Sequence, residues 1–276
     1  MNRCDICLEE TCGGKHNCHC EICNHSKDCY RYLHATIRIT NRCTQECSHC
    51  CFESNKTSSI FMSVDSAKDI GKFLKSNDVM SLNVMGGEFF TNKNWFEILN
   101  IFLENTLFVR LVSNGDWAKN NDVKEKLKIL VEKYKDSFHI SMSKDVFHTN
   151  AFIDEAALYL ESINASFNVG DDTNSTTEKT LVPIGRAYDS CNLYSSFACY
   201  CDNPSKMYSF LIDEEGNIYK CSFGVWNYAN VKDFLDGGFA KRFKEFNKKF
   251  YSIFIPSCSS CINCAERKEN NVVKKN

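Results

Sequence analysis

The 276-residue sequence has no long apolar run, no excess of charge of either sign and only 3 prolines. Because no stretch of 18 or more residues is continuously apolar, the sequence predicts no membrane span. A net charge of −2 excludes the basic footprint of a protein that binds nucleic acid or an anionic membrane. The first residues, MNRCDICLEE, lack the apolar core of a signal peptide. We therefore expect a cytoplasmic protein with neither nucleic acid nor membrane as a partner.

Cysteine, in contrast, is abundant: the chain has 18. In a secreted protein such a number would indicate disulfides, but the expected cytoplasmic location keeps thiols reduced. Clustered cysteines in a reduced compartment are typical of metal ligands. The cysteine content therefore predicts metal sites.

The cysteines fall into three groups separated by a long stretch without any. Seven lie in residues 4–29, four in residues 43–51 and seven in residues 191–264, with none between Phe52 and Ser190. A disulfide scaffold would distribute its cysteines through the core. This spacing instead predicts three regions: a Cys-rich metal-binding segment (1–34), a larger scaffold (35–187) and a C-terminal cluster-binding domain (188–276).

The scaffold alternates strand and helix patterns. Alternating β-branched and apolar residues predict six strands, at 35–40, 81–87, 107–115, 138–143, 165–170 and 180–185. Amphipathic stretches between them predict helices at 63–76, 94–105, 121–136 and 151–164, the first with Ser63 as its N-cap. This order is typical of parallel βαβ units with right-handed crossovers. Because six units are too few for a closed eight-stranded barrel, we predict an α/β fold with a partial (β/α)6 barrel.

The pattern changes after residue 187. Two β-rich runs around Asp213 to Gly216 predict a hairpin at 208–224. A helical stretch rich in phenylalanine follows, and we expect its apolar face to pack against the rest of the protein. The predicted C-terminal extension is therefore a small hairpin and helix followed by further cysteines.

Ligand sites in α/β folds of this kind lie at the carboxyl ends of the parallel strands. The residues that follow successive predicted strands are polar side chains, cysteines and glycines. They are Cys43, Cys47 and Cys50; Gly86, Gly87 and Glu88; Ser113, Asn114 and Gly115; and Ser141 and Ser143. The sequence therefore predicts that these residues meet at one rim of the barrel.

The spacing Cys43-x3-Cys47-x2-Cys50 places three thiolates on one tight loop. Three thiolates can bind three irons of a [4Fe–4S] cluster, which normally takes four cysteines. A missing fourth ligand opens one coordination position, by the same logic that separates catalytic from structural zinc sites. Cys51 follows Cys50 directly and is expected to point away. Taken alone, the spacing also fits a structural zinc site.

The loop and its partners resemble the radical S-adenosylmethionine (SAM) enzymes. The matching residues are the Cys43-x3-Cys47-x-His49-Cys50 loop and Gly86-Gly87-Glu88 after the second strand. Ser113-Asn114-Gly115 and the segment IGRA at 184–187 are similar to further segments of that family. The resemblance covers roughly residues 35–187, and His49 stands where the family usually has an aromatic residue.

This resemblance implies the site and the reaction. SAM would chelate the open iron of the cluster, and Glu88 with the Gly86-Gly87 backbone would hold its amino group. Ser141 or Ser143 would contact the ribose, and His49 and Asn114 would also belong to the cofactor site. An electron delivered by a donor such as flavodoxin or ferredoxin would break SAM to a 5′-deoxyadenosyl radical, which abstracts hydrogen from the substrate. No protein side chain is assigned as a catalytic residue.

A weaker resemblance concerns the C-terminal cysteines. The pattern Cys201-x14-Gly216-x4-Cys221, followed by Cys258, Cys261 and Cys264, is similar to the auxiliary-cluster extensions called SPASM or twitch. It departs from the full SPASM pattern in its shorter second half. The resemblance implies one auxiliary [4Fe–4S] cluster, with structural zinc as the alternative, and a second cluster at Cys191 and Cys199 is a further option.

The cysteines of the N-terminal segment match no motif of either resemblance. Together with His16, His19 and His25, they fit a zinc site, or a further Fe–S cluster. We therefore expect zinc or a further Fe–S cluster here.

Three functions remain open from the sequence. The extension favours a radical SAM enzyme that modifies a peptide or protein, by ribosomal peptide maturation such as crosslinking or epimerisation, or by enzyme maturation. A radical SAM enzyme acting on a nucleotide or small molecule is the second. A non-catalytic zinc-binding interaction protein is the third.

Overall fold

Five parallel strands alternate with four helices in the first part of the chain, and a hairpin extends their sheet at one edge. A computed structural model describes residues 33–171, 186, 209–220, 224 and 227–254. The parallel strands are β1 (Leu33–Arg38), β2 (Val79–Met85), β3 (Phe108–Ser113), β4 (Phe138–Lys144) and β5 (Phe167–Asp171). The helices are α1 (Val64–Ser76), α2 (Trp95–Asn105), α3 (Asn121–Lys133) and α4 (Ile153–Ser162).

The rest of the described chain adds the hairpin and one more helix. Strands β6 (Ser209–Ile212) and β7 (Asn217–Tyr219) form the hairpin, β8 (Asn227–Asn230) pairs with β7, and α5 spans Phe239–Phe254. The order across the sheet is β5-β4-β3-β2-β1-β6-β7-β8. Strand β6 pairs with β1 in parallel, so the hairpin continues the main sheet. The sequence did not predict this pairing, because it depends on residues about 175 positions apart (Thr36 and Leu211).

The two faces of β1 to β5 differ in character. One face carries apolar side chains that are fully buried beneath the helices, among them Ala35, Ile37, Leu82, Leu111 and Ile140. We call the opposite side the polar face. In register its residues are His34, Thr36, Arg38, Ser81, Asn83, Met85, Phe108, Arg110, Val112, His139, Ser141, Ser143, Asn168 and Gly170. Parallel sheets are normally covered by apolar contacts on both faces, so this polar surface is a place for a ligand.

Local signals fix where the elements begin. Ser63 accepts a hydrogen bond from the Ser66 main-chain N–H, which confirms it as the N-cap of α1. In the hairpin, the Asp213 carboxylate accepts from the main-chain N–H groups of Glu215 and Asn217, and Gly216 adopts the left-handed conformation (φ 82°) that the turn requires. The hairpin predicted around Asp213 to Gly216 is therefore confirmed, with β6 and β7 as its strands.

The phenylalanine-rich helix packs as the sequence predicted. Phe239 and Phe243 of α5 are fully buried, and their rings contact Phe210 of β6 at centroid distances of 4.8 and 5.5 Å. The Asn77 side chain, just after α1, accepts from the Phe239 main-chain N–H and donates to the Phe234 carbonyl. The start of α5 is thereby joined to the helical layer.

The structure confirms an α/β fold with a mainly parallel sheet, and the first five predicted strands occur within two residues of their expected starts. The sixth predicted strand (180–185), the N-terminal segment and the C-terminal cysteines lie outside the described residues. Within the described part of the chain, every helix is too short or too polar to cross a bilayer.

Candidate active site

The loop after β1 places three cysteines at the carboxyl end of the sheet. Cys43 is buried, Cys47 and Cys50 are half-buried, and none of them forms a disulfide. The Cys43 N–H donates to the Asn55 carbonyl and the Cys50 N–H to the Cys47 carbonyl, so main-chain bonds define the loop. Cys51, expected to be a bystander, is also half-buried and forms no disulfide. The three cysteines thus stand on one loop, as the sequence predicted.

The glycines after β2 lie directly against this loop. The N–H of Gly87 donates to the Thr40 carbonyl and that of Glu88 to the Arg42 carbonyl, each at 2.8 Å. A Cβ atom on Gly87 would lie 2.4 Å from the Arg42 carbonyl oxygen and 2.9 Å from the Cys43 Cβ. Only glycine therefore lets the end of β2 approach the cysteine loop so closely.

Glu88 joins the second strand to the third. Its carboxylate, 1% exposed, accepts hydrogen bonds from the Ser113 hydroxyl and the Asn114 main-chain N–H, both at 2.9 Å. Burial raises the pKa of Glu88 to about 7, against the opposing effect of these hydrogen bonds. The structure therefore brings the predicted residues Glu88 and Asn114 into direct contact.

Asn114 also reaches the cysteine loop. Its side-chain amide donates to the Thr44 hydroxyl at 3.1 Å and to the Cys43 sulfur at 3.9 Å. Its carbonyl accepts from the Asp116 main-chain N–H, which fixes the orientation of the amide. Asn114 is thus held with its donor toward a predicted metal ligand.

Two further side chains support the loop and were missed from the sequence. Asp116 accepts hydrogen bonds from the Thr44 hydroxyl and the Gln45 amide. The Gln45 carbonyl in turn accepts from the Cys47 thiol and the Thr149 main-chain N–H. Asp116 follows Ser113-Asn114-Gly115 directly, but no sequence pattern indicates that it lies beneath a loop 70 residues earlier.

Arg186 is hydrogen-bonded to the main chain of the same loop. Its Nε donates to the Cys47 carbonyl at 2.9 Å, and its main-chain N–H donates to the Cys50 carbonyl at 3.1 Å. It stands within the IGRA segment, whose neighbouring residues lie outside the described part of the chain. A cation is therefore hydrogen-bonded to the backbone of two predicted metal ligands.

His49 lies in a small cluster with His148 and Asp145, beyond the end of β4. The ring of His49 is 4.8 Å from Phe147 and 5.0 Å from His148, and Asp145 accepts a 2.8 Å hydrogen bond from His148 Nδ1. Burial, followed by the neighbouring His148, lowers the pKa of His49. The Nδ1 atom of His49 is buried without a hydrogen-bond partner among the described residues. This nitrogen remains available to a ligand.

Ser141 and Ser143 lie on the polar face of β4, beside Asn168 and Gly170 of β5. Both are half-buried, and they stand two and four residues along the strand from His139. The structure therefore places them on the polar face of the sheet, near its carboxyl end. Their contact with a ribose remains a prediction.

The donor set fits an iron–sulfur cluster. Burial raises the pKa of Cys43 to about 12 and that of Cys47 to about 11, and in each case charge repulsion from the neighbouring cysteines adds to the effect. Three thiolates on one loop need a compensating positive charge, and coordinated metal ions deprotonate thiols outright. Donors also point at sulfur, since the Gln45 N–H lies 3.4 Å from the Cys43 sulfur. Cys201, Cys221, Cys258, Cys261 and Cys264 lie outside the described residues.

Comparison with known proteins agrees with this geometry. Residues 37–143 match the family model described as the radical SAM superfamily. The chain is 32% identical over 113 residues to "Antilisterial bacteriocin subtilosin biosynthesis protein AlbA" of Bacillus subtilis (strain 168), covering 41% of this chain and 24% of the relative. It is 24% identical over 184 residues to "Putative peptide biosynthesis protein YydG" of the same organism, covering 66% of this chain and 50% of the relative.

A solved structure shares the fold. "Native anSMEcpe with bound AdoMet" superimposes with a TM-score of 0.52 at 12% identity, covering 86% of this chain and 95% of the other. The matched region spans half or less of the length of the two curated relatives.

Proposed function

We propose that this chain, which contains a radical SAM domain at residues 37–143, cleaves SAM and uses the resulting radical to modify a peptide or protein. The observation that carries the proposal is the packing of Gly86-Gly87-Glu88 against the loop of Cys43, Cys47 and Cys50. A structural metal site would need four protein ligands, whereas the three predicted ligands of this loop lie beside a buried carboxylate, and Cys51 is expected to point away.

The residues of this site would have separate roles. Cys43, Cys47 and Cys50 would hold a [4Fe–4S] cluster, which when bound supplies the electron for reductive cleavage of SAM. Glu88 and the adjacent glycine carbonyls would accept hydrogen bonds from the SAM amino group, while Ser141 or Ser143 would contact the ribose and His49 would contribute to the same pocket. Asn114 would hold its amide donor at the Cys43 sulfur.

A peptide or protein is the substrate class we favour. AlbA is described as a bacteriocin biosynthesis protein and YydG as a peptide biosynthesis protein. The cysteines at 201, 221, 258, 261 and 264 would hold an auxiliary [4Fe–4S] cluster, and flavodoxin or ferredoxin would supply electrons. The cysteines of residues 1–34 would bind zinc or a further cluster. We propose the cytoplasm as the location.

The direct test is anaerobic reconstitution with iron and sulfide, followed by SAM and dithionite, with 5′-deoxyadenosine measured by chromatography. We expect product from the wild-type chain and from C51A, and none from C47A. C51A is the matched control because it removes a neighbouring thiol from the same loop. A colourless protein that holds zinc and releases no 5′-deoxyadenosine would favour the interaction protein instead.

A further inference from the structure

The polar face of β1 to β5 carries positive charge and no carboxylate. Its charged side chains are Arg38 and Arg110, and neither aspartate nor glutamate occurs among its residues. Arg38 is neutralised by Glu214, with hydrogen bonds of 2.9 and 3.0 Å. Arg110 therefore supplies the uncompensated charge of this face within the described residues, although the whole chain has a net charge of −2.

Arg110 is exposed in an unusual place. It lies in the middle of β3, which has β2 on one side and β4 on the other, where a parallel strand is normally covered. Within the described residues its side chain makes no hydrogen bond or ion pair. A charged arginine side chain is rarely buried without a partner, and here it stays hydrated because the face around it is exposed. This face is therefore accessible to a ligand.

The strands beside Arg110 place polar side chains next to it, and one of them is held by hydrogen bonds. In register beside it lie Asn83 on β2 and His139 on β4. Both ring nitrogens of His139 are hydrogen-bonded, one to Ser166 at 2.9 Å and the other to Asn168 at 2.7 Å. The His139 ring also stacks on Phe108, at 6.5 Å between centroids. Arg110 thus stands between an amide and an oriented imidazole, on a central strand.

We propose that Arg110 binds a carboxylate of the peptide substrate, so that the enzyme selects an acidic peptide. This inference rests on the proposed function, because it assigns the substrate class of the same site. The guanidinium group presents a planar pair of donors that matches a carboxylate bidentately. Arg110 lies three residues before Ser113, about 10 Å along the strand. It therefore anchors the peptide at a distance from the carboxyl end of the sheet, where Glu88 and the cysteine loop meet.

The test measures binding of three labelled twelve-residue peptides to the reconstituted full chain with SAM, by fluorescence anisotropy without air. The first peptide carries three glutamates and blocked termini, the second carries glutamines instead, and the third has glutamines and a free C-terminal carboxylate. The variants are R110Q, R110K and the control K128Q, which removes an exposed positive charge from α3.

We expect wild type and K128Q to bind the glutamate peptide about tenfold or more tightly than the glutamine peptide, since hydrogen bonds between charged groups discriminate by about that factor. R110Q should lose this preference, and R110K should keep part of it. Preference for the third peptide over the second would identify a C-terminal carboxylate as the ligand. Equal binding of all three peptides by wild type, or an equal preference in R110Q and K128Q, overturns the proposal.

The same preparations separate this proposal from the proposed function. Release of 5′-deoxyadenosine without peptide depends on the cysteine loop, so the control K128Q, on the exposed side of α3, should release it as wild type does. If no variant cleaves SAM, the proposed function fails while the peptide measurements still decide the role of Arg110. If SAM is cleaved but charge selectivity is absent, the Arg110 proposal alone fails.

Discussion

The main-chain N–H of Asn114 donates a 2.9 Å hydrogen bond to the Glu88 carboxylate, and the side chain of the same Asn114 points its amide at the Cys43 sulfur. Three consecutive strand ends are thereby joined through two residues. Glu88 comes from the end of β2, Asn114 from the end of β3, and Cys43 from the loop after β1. A substitution of Glu88 or Asn114 should therefore affect the conformation of the cysteine loop.

The first prediction concerns the pH dependence that Glu88 gives to folding. Burial raises its pKa in the folded protein to about 7 from the ordinary 4.5. Between these two pH values the carboxyl group is protonated in the folded protein and ionised in the unfolded protein. Stability should then fall as the pH rises from about 5 to 8, by on the order of 3 kcal/mol from this group. Urea unfolding of the metal-free protein at several pH values measures the effect.

E88Q provides the comparison for this measurement, because glutamine does not titrate. It should show a flatter stability profile across the same interval, even if the lost hydrogen bond to Asn114 lowers its stability overall. Parallel profiles for wild type and E88Q would contradict the assigned pKa.

Gly87 is expected to tolerate no side chain. In G87A the new methyl group would meet main-chain atoms of Arg42 at 2.4 and 2.6 Å, so the cysteine loop must shift. We expect a loss of about 1 to 3 kcal/mol in stability and incomplete incorporation of iron. Iron and sulfide determination after reconstitution, together with thermal unfolding, checks both effects.

The matched control is G71A in α1, whose methyl group would meet side-chain atoms of Ile101 and Asn105 rather than main-chain atoms. A shift of these two side chains leaves the main chain of the cysteine loop in place, and alanine favours a helix over glycine by about 1 kcal/mol. G71A should therefore load iron normally. Equal iron loss in G71A and G87A would indicate a general folding defect.

Substituting Arg38 should destabilise the protein much more than substituting Glu214, its partner in the ion pair. Glu214 is nearly fully buried, whereas Arg38 is partly exposed and also lies 4.9 Å from the centre of the Phe52 ring. R38M leaves a buried carboxylate without its partner and should cost about 3 to 5 kcal/mol. E214Q, which leaves the more exposed cation, should cost less. Unfolding free energies of the two variants test this order.

The pH dependence of R38M gives an independent check. Burial already raises the pKa of Glu214 and Arg38 opposes that effect, so removing Arg38 must raise it further. Burying a protonated carboxyl group costs less free energy than burying a carboxylate. The difference in unfolding free energy between wild type and R38M should therefore shrink as the pH is lowered. A stability difference that grows as the pH is lowered would contradict the raised pKa of Glu214.

Arg186 should influence the electronic state of a bound cluster. Its guanidinium group is hydrogen-bonded to the Cys47 carbonyl, and its charge lowers the pKa of Cys47 against the larger effect of burial. Positive charge near a cluster favours the reduced form. R186Q should therefore shift the midpoint potential to more negative values, on the order of tens of millivolts. Potentiometric titration followed by electron paramagnetic resonance measures the shift.

R186K separates charge from hydrogen bonding at this position. Lysine keeps the positive charge but cannot reproduce the planar Nε donor. Its potential should lie closer to wild type than that of R186Q. The same potential in all three proteins would show that Arg186 only holds the loop in shape.

The residues that meet at the strand ends could be predicted because each belongs to a short motif that is recognisable from its own sequence. Cys43-x3-Cys47-x2-Cys50 and Gly86-Gly87-Glu88 follow strands whose alternation is clear in the sequence, and parallel strands bring their carboxyl ends to one edge. Asp116 and Gln45 carry no such motif. Their contact depends on how the loops after β1 and β3 fold over each other, and one common polar residue in a loop does not indicate that.

In the hairpin, too, one feature is determined by neighbouring residues and another by the tertiary structure. Its turn could be predicted from Asp213 to Gly216, because the hydrogen bonds that make the turn are between neighbours in sequence. Its position beside β1, and the ion pair that this position creates between Arg38 and Glu214, depend on pairing across the whole domain. No local pattern encodes such a pairing.

The sequence by itself determined the alternation of strands and helices, the three-cysteine loop and the residues placed at each strand end, since these follow from spacing and side-chain chemistry along the chain. Only the tertiary structure decided that Glu88 is buried against Ser113 and Asn114, that Arg186 binds the cysteine loop, and that Arg110 faces an open polar surface. Burial and charge pairing arise from residues far apart in sequence, and packing alone brings those residues together.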